Sequence, residues 1–244
     1  KCPKLCLETN TTGTLNILEN LREYSSSTIM YHAATSELFS GVEGTEPQNE
    51  DTKFQPKSPY AVSKMAAYNL CEYYKYVYGL SIFQGILFNH ESCRRKDDFV
   101  TKKIVKHLWE VFTGERDYIE LGNLDAKRDW GHAKDYVEGM WLMLQQEKPD
   151  DYVLSTNQTT RVKDFVIKCF QYKEIELEWS GEGLDEKAVN KATGEVVVEI
   201  DKKYFRPSEV EYLLGYSGKA EQQLGWKPKT SLDQLIVDMF ENGM

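Results

Sequence analysis

The stretch SPYAVSKMAAYNLCEYYKYVYGLSIFQGILF, residues 58–88, decides the fold. Ser58 followed by Pro59 reads as a helix start, with serine as N-cap and proline, which has no N–H to lose, at the first helical position. The helix runs to about Tyr78. Gly79 closes it, because glycine accepts the left-handed backbone of a helix C-terminus. Residues 81–88 then form an apolar run with the length of a buried strand. Upstream the pattern repeats: residues 11–24 read as a helix with Leu15, Leu18 and Leu21 on one face, and Ile29 to Ala34 as a buried strand. A polar loop with Gly41, Gly44, Pro47 and Pro56 fills 40–57. This α-β-α-β order points to an α/β protein with a doubly wound parallel sheet of the Rossmann type.

The second half is more mixed. Helices are expected over 99–113 and 132–146, and near 217–224 and 231–241; short strands near 118–121, 152–154, 175–179 and 196–201. Residues 1–90 are therefore read as belonging to a dinucleotide-binding domain that carries the catalytic residues. Residues 91–244 are read mainly as a smaller mixed α/β substrate lobe, with some segments returning to the sheet. A nicotinamide-binding sheet normally opens on a strand, a glycine-rich turn and a helix that receives the pyrophosphate. No such fingerprint occurs here. The expectation is that the first βαβ units are missing, on the order of 80–100 residues at about 30 per unit.

The net charge of −9 and the dispersed basic residues argue against a nucleic-acid binder. No apolar run is long enough to span a bilayer, so no membrane association is expected. The N-terminal KCPKLCLETN lacks the apolar core of a signal peptide. Five cysteines without a CxxC argue for a reducing compartment, hence a cytoplasmic location, and against a disulfide framework. The histidines show no ligand spacing, and no metal site is expected.

Three constellations carry possible chemistry. The first is Tyr60-x-x-x-Lys64. A bare match is expected about once by chance in a chain this rich in tyrosine and lysine. Its place in the first turns of a capped helix raises it. Residues i and i+4 share a helix face, so the ammonium can lie beside the phenol and lower its pKa, helped by the helix N-terminus. The second is Thr35-Ser36-Glu37, directly after the strand 29–34, at the edge where open α/β sheets bind ligands. A hydroxyl and a carboxylate there suit acid–base work on a sugar, although a lone Thr-x-Glu is also an ordinary helix cap. The third is Asn89-His90-Glu91, at the end of the strand 81–88. Arg128 and Arg206 are candidates for phosphate, since guanidinium forks match phosphate oxygens; taken alone, each more often serves a surface ion pair.

Taken together, these segments resemble the extended short-chain dehydrogenase/reductases, and within them the GDP-mannose 4,6-dehydratase family. The resemblance rests on Thr35-Ser36-Glu37-Leu38, the 58–64 run, Gly85 to Ser92, Phe99-Val-Thr101, the highly specific LGNLDAKRDWGHAKDY at 121–136, Arg206 to Val210 and Gly225 to Pro228. It implies an internal redox dehydration of GDP-mannose to GDP-4-keto-6-deoxymannose through bound NADP. It implies Tyr60 as base at the C4 hydroxyl, Lys64 tuning Tyr60 and holding the nicotinamide ribose, Thr35 near the C4 oxygen, and Glu37 removing the C5 proton and assisting loss of the C6 hydroxyl. It also implies that Tyr60, Lys64, Leu87, His90 and Arg95 contact NADP. Asn89, Val100, Lys103, Leu121, Gly122, Arg128, Arg206 and Glu209 match the face for GDP-mannose. A homodimer or homotetramer is implied as well. Cys93 departs from the family's proline just before Arg94 and Arg95, which puts assembly through that loop in doubt. The competing readings are a related sugar-nucleotide epimerase or decarboxylase, and a catalytically incomplete fragment. A carboxylate at Glu37 argues against a simple C4 epimerase, which needs no base at C5.

Overall fold

A computed structural model describes residues 2–42, 44–204 and 212–243. The chain opens with helix α1 (Pro3–Cys6), a π-helical segment Leu7–Thr12 and helix α2 (Gly13–Tyr24), which run on as one helical rod. Then come strand β1 (Met30–Ala33), a short 3-10 turn at Ser36–Leu38, helix α3 (Pro59–Tyr78), strands β2 (Ile82–Leu87) and β3 (Asn89–Glu91), and helix α4 (Val100–Phe112). Strands β4 (Ile119–Leu121), β5 (Lys127–Arg128) and β6 (Trp130–His132) precede helix α5 (Ala133–Met143). Strands β7 (Asp151–Leu154) and β8 (Thr160–Arg161) lead to helix α6 (Val162–Tyr172). Strands β9 (Leu177–Ser180), β10 (Lys187–Asn190) and β11 (Val196–Ile200) follow, and helices α7 (Gly218–Leu224) and α8 (Leu232–Glu241) close the described chain.

Strands β1, β2 and β7 form a parallel sheet in that order. The register aligns Ala33 with Gly85 and Leu87 with Leu154, so the carboxyl ends of all three strands face the same edge. Every residue of β2 and β7 is buried, as expected of parallel strands covered on both faces. β7 comes from the second half of the chain. The second sheet, ordered β4-β11-β10-β9, is antiparallel except for the β4–β11 pair.

Helix α3 forms as its ends require. The Ser58 hydroxyl accepts the Ala61 N–H at 3.0 Å, and Gly79 takes φ +66° at the C-terminus. Ala61, Ser63, Ala67, Cys71 and Tyr74 make its buried stripe, against which Leu15, Leu18 and Leu21 of α2 pack with Leu80 and Ile82. The helical rod before β1 begins earlier than the sequence pattern indicates. Its π segment is held by α3: Asn10 donates to the Ser63 hydroxyl at 2.9 Å and Thr11 to the Ser63 carbonyl at 2.9 Å. Single-turn π segments often mark functional surroundings, and Ser63 itself donates to the Tyr60 carbonyl at 2.7 Å.

The largest core joins α4, α6 and α8 to the second sheet through Ile104, Leu108, Phe165, Phe170, Val198 and Phe240. Helix α6 and strand β10 are absent from the sequence-based expectation. The last helix also reaches back to the loop after β3: the Asp238 carboxylate accepts the Cys93 N–H at 3.0 Å and lies 3.3 Å from His132 Nε2.

Gly85 lies where a methyl group would overlap the hydroxyl of Tyr31. A Gly85→Ala variant is therefore expected to lose about 1–3 kcal/mol of stability through overpacking, measured as a lower urea midpoint at unchanged slope.

Candidate active site

The carboxyl end of β1 turns at once into a compact clasp. Thr35 is extended (φ −157°, ψ 145°) and caps the 3-10 turn by accepting the Glu37 N–H at 3.3 Å. Ser40 donates to the Glu37 carbonyl at 3.0 Å and accepts the Lys57 N–H at 3.0 Å. Ser58 donates to Glu37 Oε2 at 3.2 Å. Tyr60, in the first turn of α3, faces the Thr35 hydroxyl and senses the charges of Glu37 and Arg95. The Lys64 ammonium donates to the carbonyl of Ala33, the last residue of β1. The structure thus brings Thr35, Glu37, Tyr60 and Lys64 to one sheet edge.

The electrostatics of this cluster differ from the expectation that Lys64 lowers the Tyr60 pKa. Burial pushes the Tyr60 phenol up, outweighing the Thr35 hydroxyl, while the charge of Glu37 adds to the rise and Arg95 opposes it. Burial also pushes the Lys64 ammonium down. In this state its proton serves the Ala33 carbonyl, and the i, i+4 spacing alone does not activate the phenol.

Of the residues matched to the cofactor, Leu87 ends β2 with its side chain in the core. His90 stacks on Tyr136 with ring centroids 4.9 Å apart, and its Nδ1 lies 2.9 Å from the Phe88 carbonyl, so Nδ1 carries the proton. Burial lowers its pKa. Arg95 lies over the Phe99 ring at 3.4 Å and forms a 2.9 Å ion pair with Glu91 whose angle falls short of a hydrogen bond.

The residues matched to the substrate face are more scattered. Asn89 lies on β3 and Val100 opens α4. Lys103 donates to the Glu120 carbonyl at 2.7 Å and sits 3.0 Å over the Tyr204 ring, and burial brings its pKa down to about 8. Leu121 has its side chain in the core, and its carbonyl accepts the Asp201 N–H at 2.8 Å. Gly122 packs so closely that a Cβ would stand 2.6 Å from the Tyr204 carbonyl oxygen. Arg128 on β5 donates to the Lys127 carbonyl at 2.9 Å. Arg206 and Glu209 lie outside the described residues.

Sequence reasoning missed three features. Ser58 is an N-cap and also a carboxylate partner. Glu91, only 1% exposed, accepts from Thr101 at 2.7 Å and so ties β3 to α4. A buried polar chain also crosses the sheet: His32 Nδ1 meets Gln84 Oε1 at 2.9 Å, and Gln84 donates to Glu72 at 2.8 Å. His32 Nε2 is buried without a partner. Burial, with Lys64 next in weight, holds the imidazole pKa down to about 4 despite its bond to Gln84.

Solved structures share this architecture. RMD from Pseudomonas aeruginosa, solved with NADPH, superposes with TM-score 0.83 at 21% identity over 99% of this chain and 75% of its own. The dTDP-glucose 4,6-dehydratase of Bacillus anthracis, solved with NAD, gives 0.78 at 18% identity over 96% of this chain and 67% of its own. Such likenesses establish the fold, a Rossmann-type α/β fold. Sequence narrows the class. Residues 1–239 match the family described as GDP-mannose 4,6 dehydratase, and the chain belongs to it. GDP-mannose 4,6-dehydratases from Drosophila melanogaster, Sinorhizobium fredii and Homo sapiens are 46%, 46% and 44% identical over 96%, 99% and 93% of this chain. The chain spans 60%, 69% and 61% of those relatives' own lengths.

His32 makes the fold acid-sensitive in a defined window. Its folded pKa of about 4 lies below the ordinary 6.5, so between these values the unfolded chain binds a proton the folded chain refuses. The associated stability is full above about pH 6.5 and is lost as pH falls toward 4, by up to roughly 3 kcal/mol. In paired urea titrations at pH 7 and pH 4.5, His32→Gln is expected to lose less stability than the native chain.

Proposed function

We propose that this chain carries the catalytic residues of an enzyme that dehydrates GDP-mannose to GDP-4-keto-6-deoxymannose, a lyase using NADP. The observation that carries the reading is the Glu37 carboxylate, fastened beside the Tyr60 phenol at the carboxyl edge of the parallel sheet. A phenol alone serves oxidation at a hydroxyl; a carboxylate beside it serves proton removal from the adjacent carbon. That second group favours a dehydratase over a C4 epimerase on the same scaffold.

The residues present fit the nicotinamide-ribose end of the cofactor. Among the described residues the Lys64 ammonium has one acceptor, the Ala33 carbonyl at the strand end, and an ammonium offers three donors. Its remaining donors suit ribose hydroxyls, with Tyr60, Leu87, His90 and Arg95 as further contacts. When bound, NADP supplies the hydride acceptor and later the donor. Tyr60 takes the proton of the C4 hydroxyl, with Thr35 orienting that oxygen. The resulting ketone acidifies the C–H bonds of both neighbouring carbons, and Glu37 removes the proton at C5, whose loss can expel the C6 hydroxyl. Asn89, Val100, Lys103, Leu121, Gly122, Arg128, Arg206 and Glu209 form the proposed face for GDP-mannose, Leu121 through backbone alone.

We also read residues 1–90 as belonging to the dinucleotide-binding domain and 91–244 as mainly the substrate lobe. Helices α2 and α3 pack side by side and expose Ile17, Tyr24, Val62, Tyr73, Tyr76 and Val77, which supports a homodimer or homotetramer. No helix of the described residues is long and apolar enough to cross a membrane. We read the location as cytoplasmic from the five cysteines without a CxxC spacing.

The test is turnover of GDP-mannose by the complete gene product, followed by release of the 4-keto-6-deoxy sugar. Glu37→Gln is expected to slow dehydration by about 10²–10⁴. A Glu37→Gln protein as fast as the native one would refute the role given to that carboxylate.

A further inference from the structure

We propose that Ser58 is a positioning residue for the Glu37 carboxylate, setting the rate of water loss separately from the C4 oxidation handled by Tyr60. The inference rests on the dehydratase reading above. A serine hydroxyl has one hydrogen and two lone pairs. One lone pair of Ser58 is committed to the Ala61 N–H at 3.0 Å, and the hydrogen goes to Glu37 Oε2 at 3.2 Å. The carboxylate is thereby coupled to the positive end of a 20-residue helix through a single atom.

Ser40 likewise serves two partners, donating to the Glu37 carbonyl and accepting from Lys57. The turn that carries Glu37 and the segment entering α3 are stitched at two points, backbone and carboxylate. Tyr60 stands two residues beyond Ser58 in the same helical turn. One rigid turn therefore holds the phenol and orients the carboxylate, and Ser58 is the link that reaches only the second. A glutamate has three side-chain torsions, and without that link its oxygens lose their fixed bearing on the phenol.

The step concerned is the elimination. Glu37 takes the C5 proton, and the C5–H electron pair becomes the C5=C6 bond. The C6–O bond breaks as Glu37 returns the proton to the departing oxygen. Water leaves and the carboxylate is regenerated.

Two variants of the complete protein separate this role from helix capping. Ser58→Gly keeps a tolerable N-cap but has no donor. Ser58→Thr keeps both functions. Ser58→Gly is expected to retain its thermal midpoint and C4 oxidation within a few-fold. Its elimination should slow roughly 10- to 100-fold, the worth of a hydrogen bond to a charged group. The readouts are a persistent reduced-nicotinamide absorbance and slowed exchange of solvent deuterium into C5. Ser58→Thr should restore both, and a crystal structure of Ser58→Gly should show the Glu37 carboxylate turned away from an unmoved Tyr60. Elimination as fast as native in Ser58→Gly, or an equal fall in oxidation and elimination, overturns the role of Ser58 alone. A native protein that leaves GDP-mannose unchanged overturns the dehydratase reading and this inference together.

Discussion

The parallel pairing of β1 with β2 is the constraint on which the rest of the site depends. Its register sets Ala33 level with Gly85, so the turn after β1 and the segment after β2 emerge on one edge. Everything chemical follows from that alignment. Thr35 and Glu37 leave β1, Asn89 and His90 follow β2, and α3, running between the two strands, returns its N-terminus to the same edge with Tyr60. At Gly85 the strand must lack a side chain, because the Tyr31 ring occupies the space one would need. Hydrogen bonds then refine what the register has arranged. Ser40 and Ser58 draw the 36–40 turn onto the start of α3, and Asn10 and Thr11 anchor the preceding rod to Ser63.

Much of the sheet is legible in the sequence because its signals are local. A serine–proline start, a glycine stop and two short apolar runs suffice to define α3, β1 and β2 within a residue or so. Helix α6 escapes such a reading, although Val162, Phe165, Val166, Cys169 and Phe170 recur at helical spacing. Its β-branched and aromatic side chains speak equally for a strand. Strands β3 and β6 are three residues each and exist only because they pair with one another, so no period announces them.

That Thr35, Glu37, Tyr60 and Lys64 share one sheet edge is legible in the sequence; their electrostatics are not. The i, i+4 spacing puts Lys64 near Tyr60, but burial decides the proton affinities, and burial is a tertiary quantity. Ser58 is legible as a cap. Its bond to Glu37 is not, because the partner lies 21 residues away. Leu121 illustrates the converse: a position inside a specific motif whose side chain belongs to the hydrophobic core.

The bond between Asp238 and the Cys93 amide has a temporal consequence. The two residues are 145 positions apart, and Asp238 rides on a helix whose Leu235, Ile236, Met239 and Phe240 complete the largest core. Contacts so distant in sequence close late, since the intervening chain must first be ordered. During synthesis the loop bearing Arg94 and Arg95 waits for α8 to emerge and dock. The sheet edge with Tyr60 and Glu37 is built from residues made well before, so the edge and this loop take shape at different times.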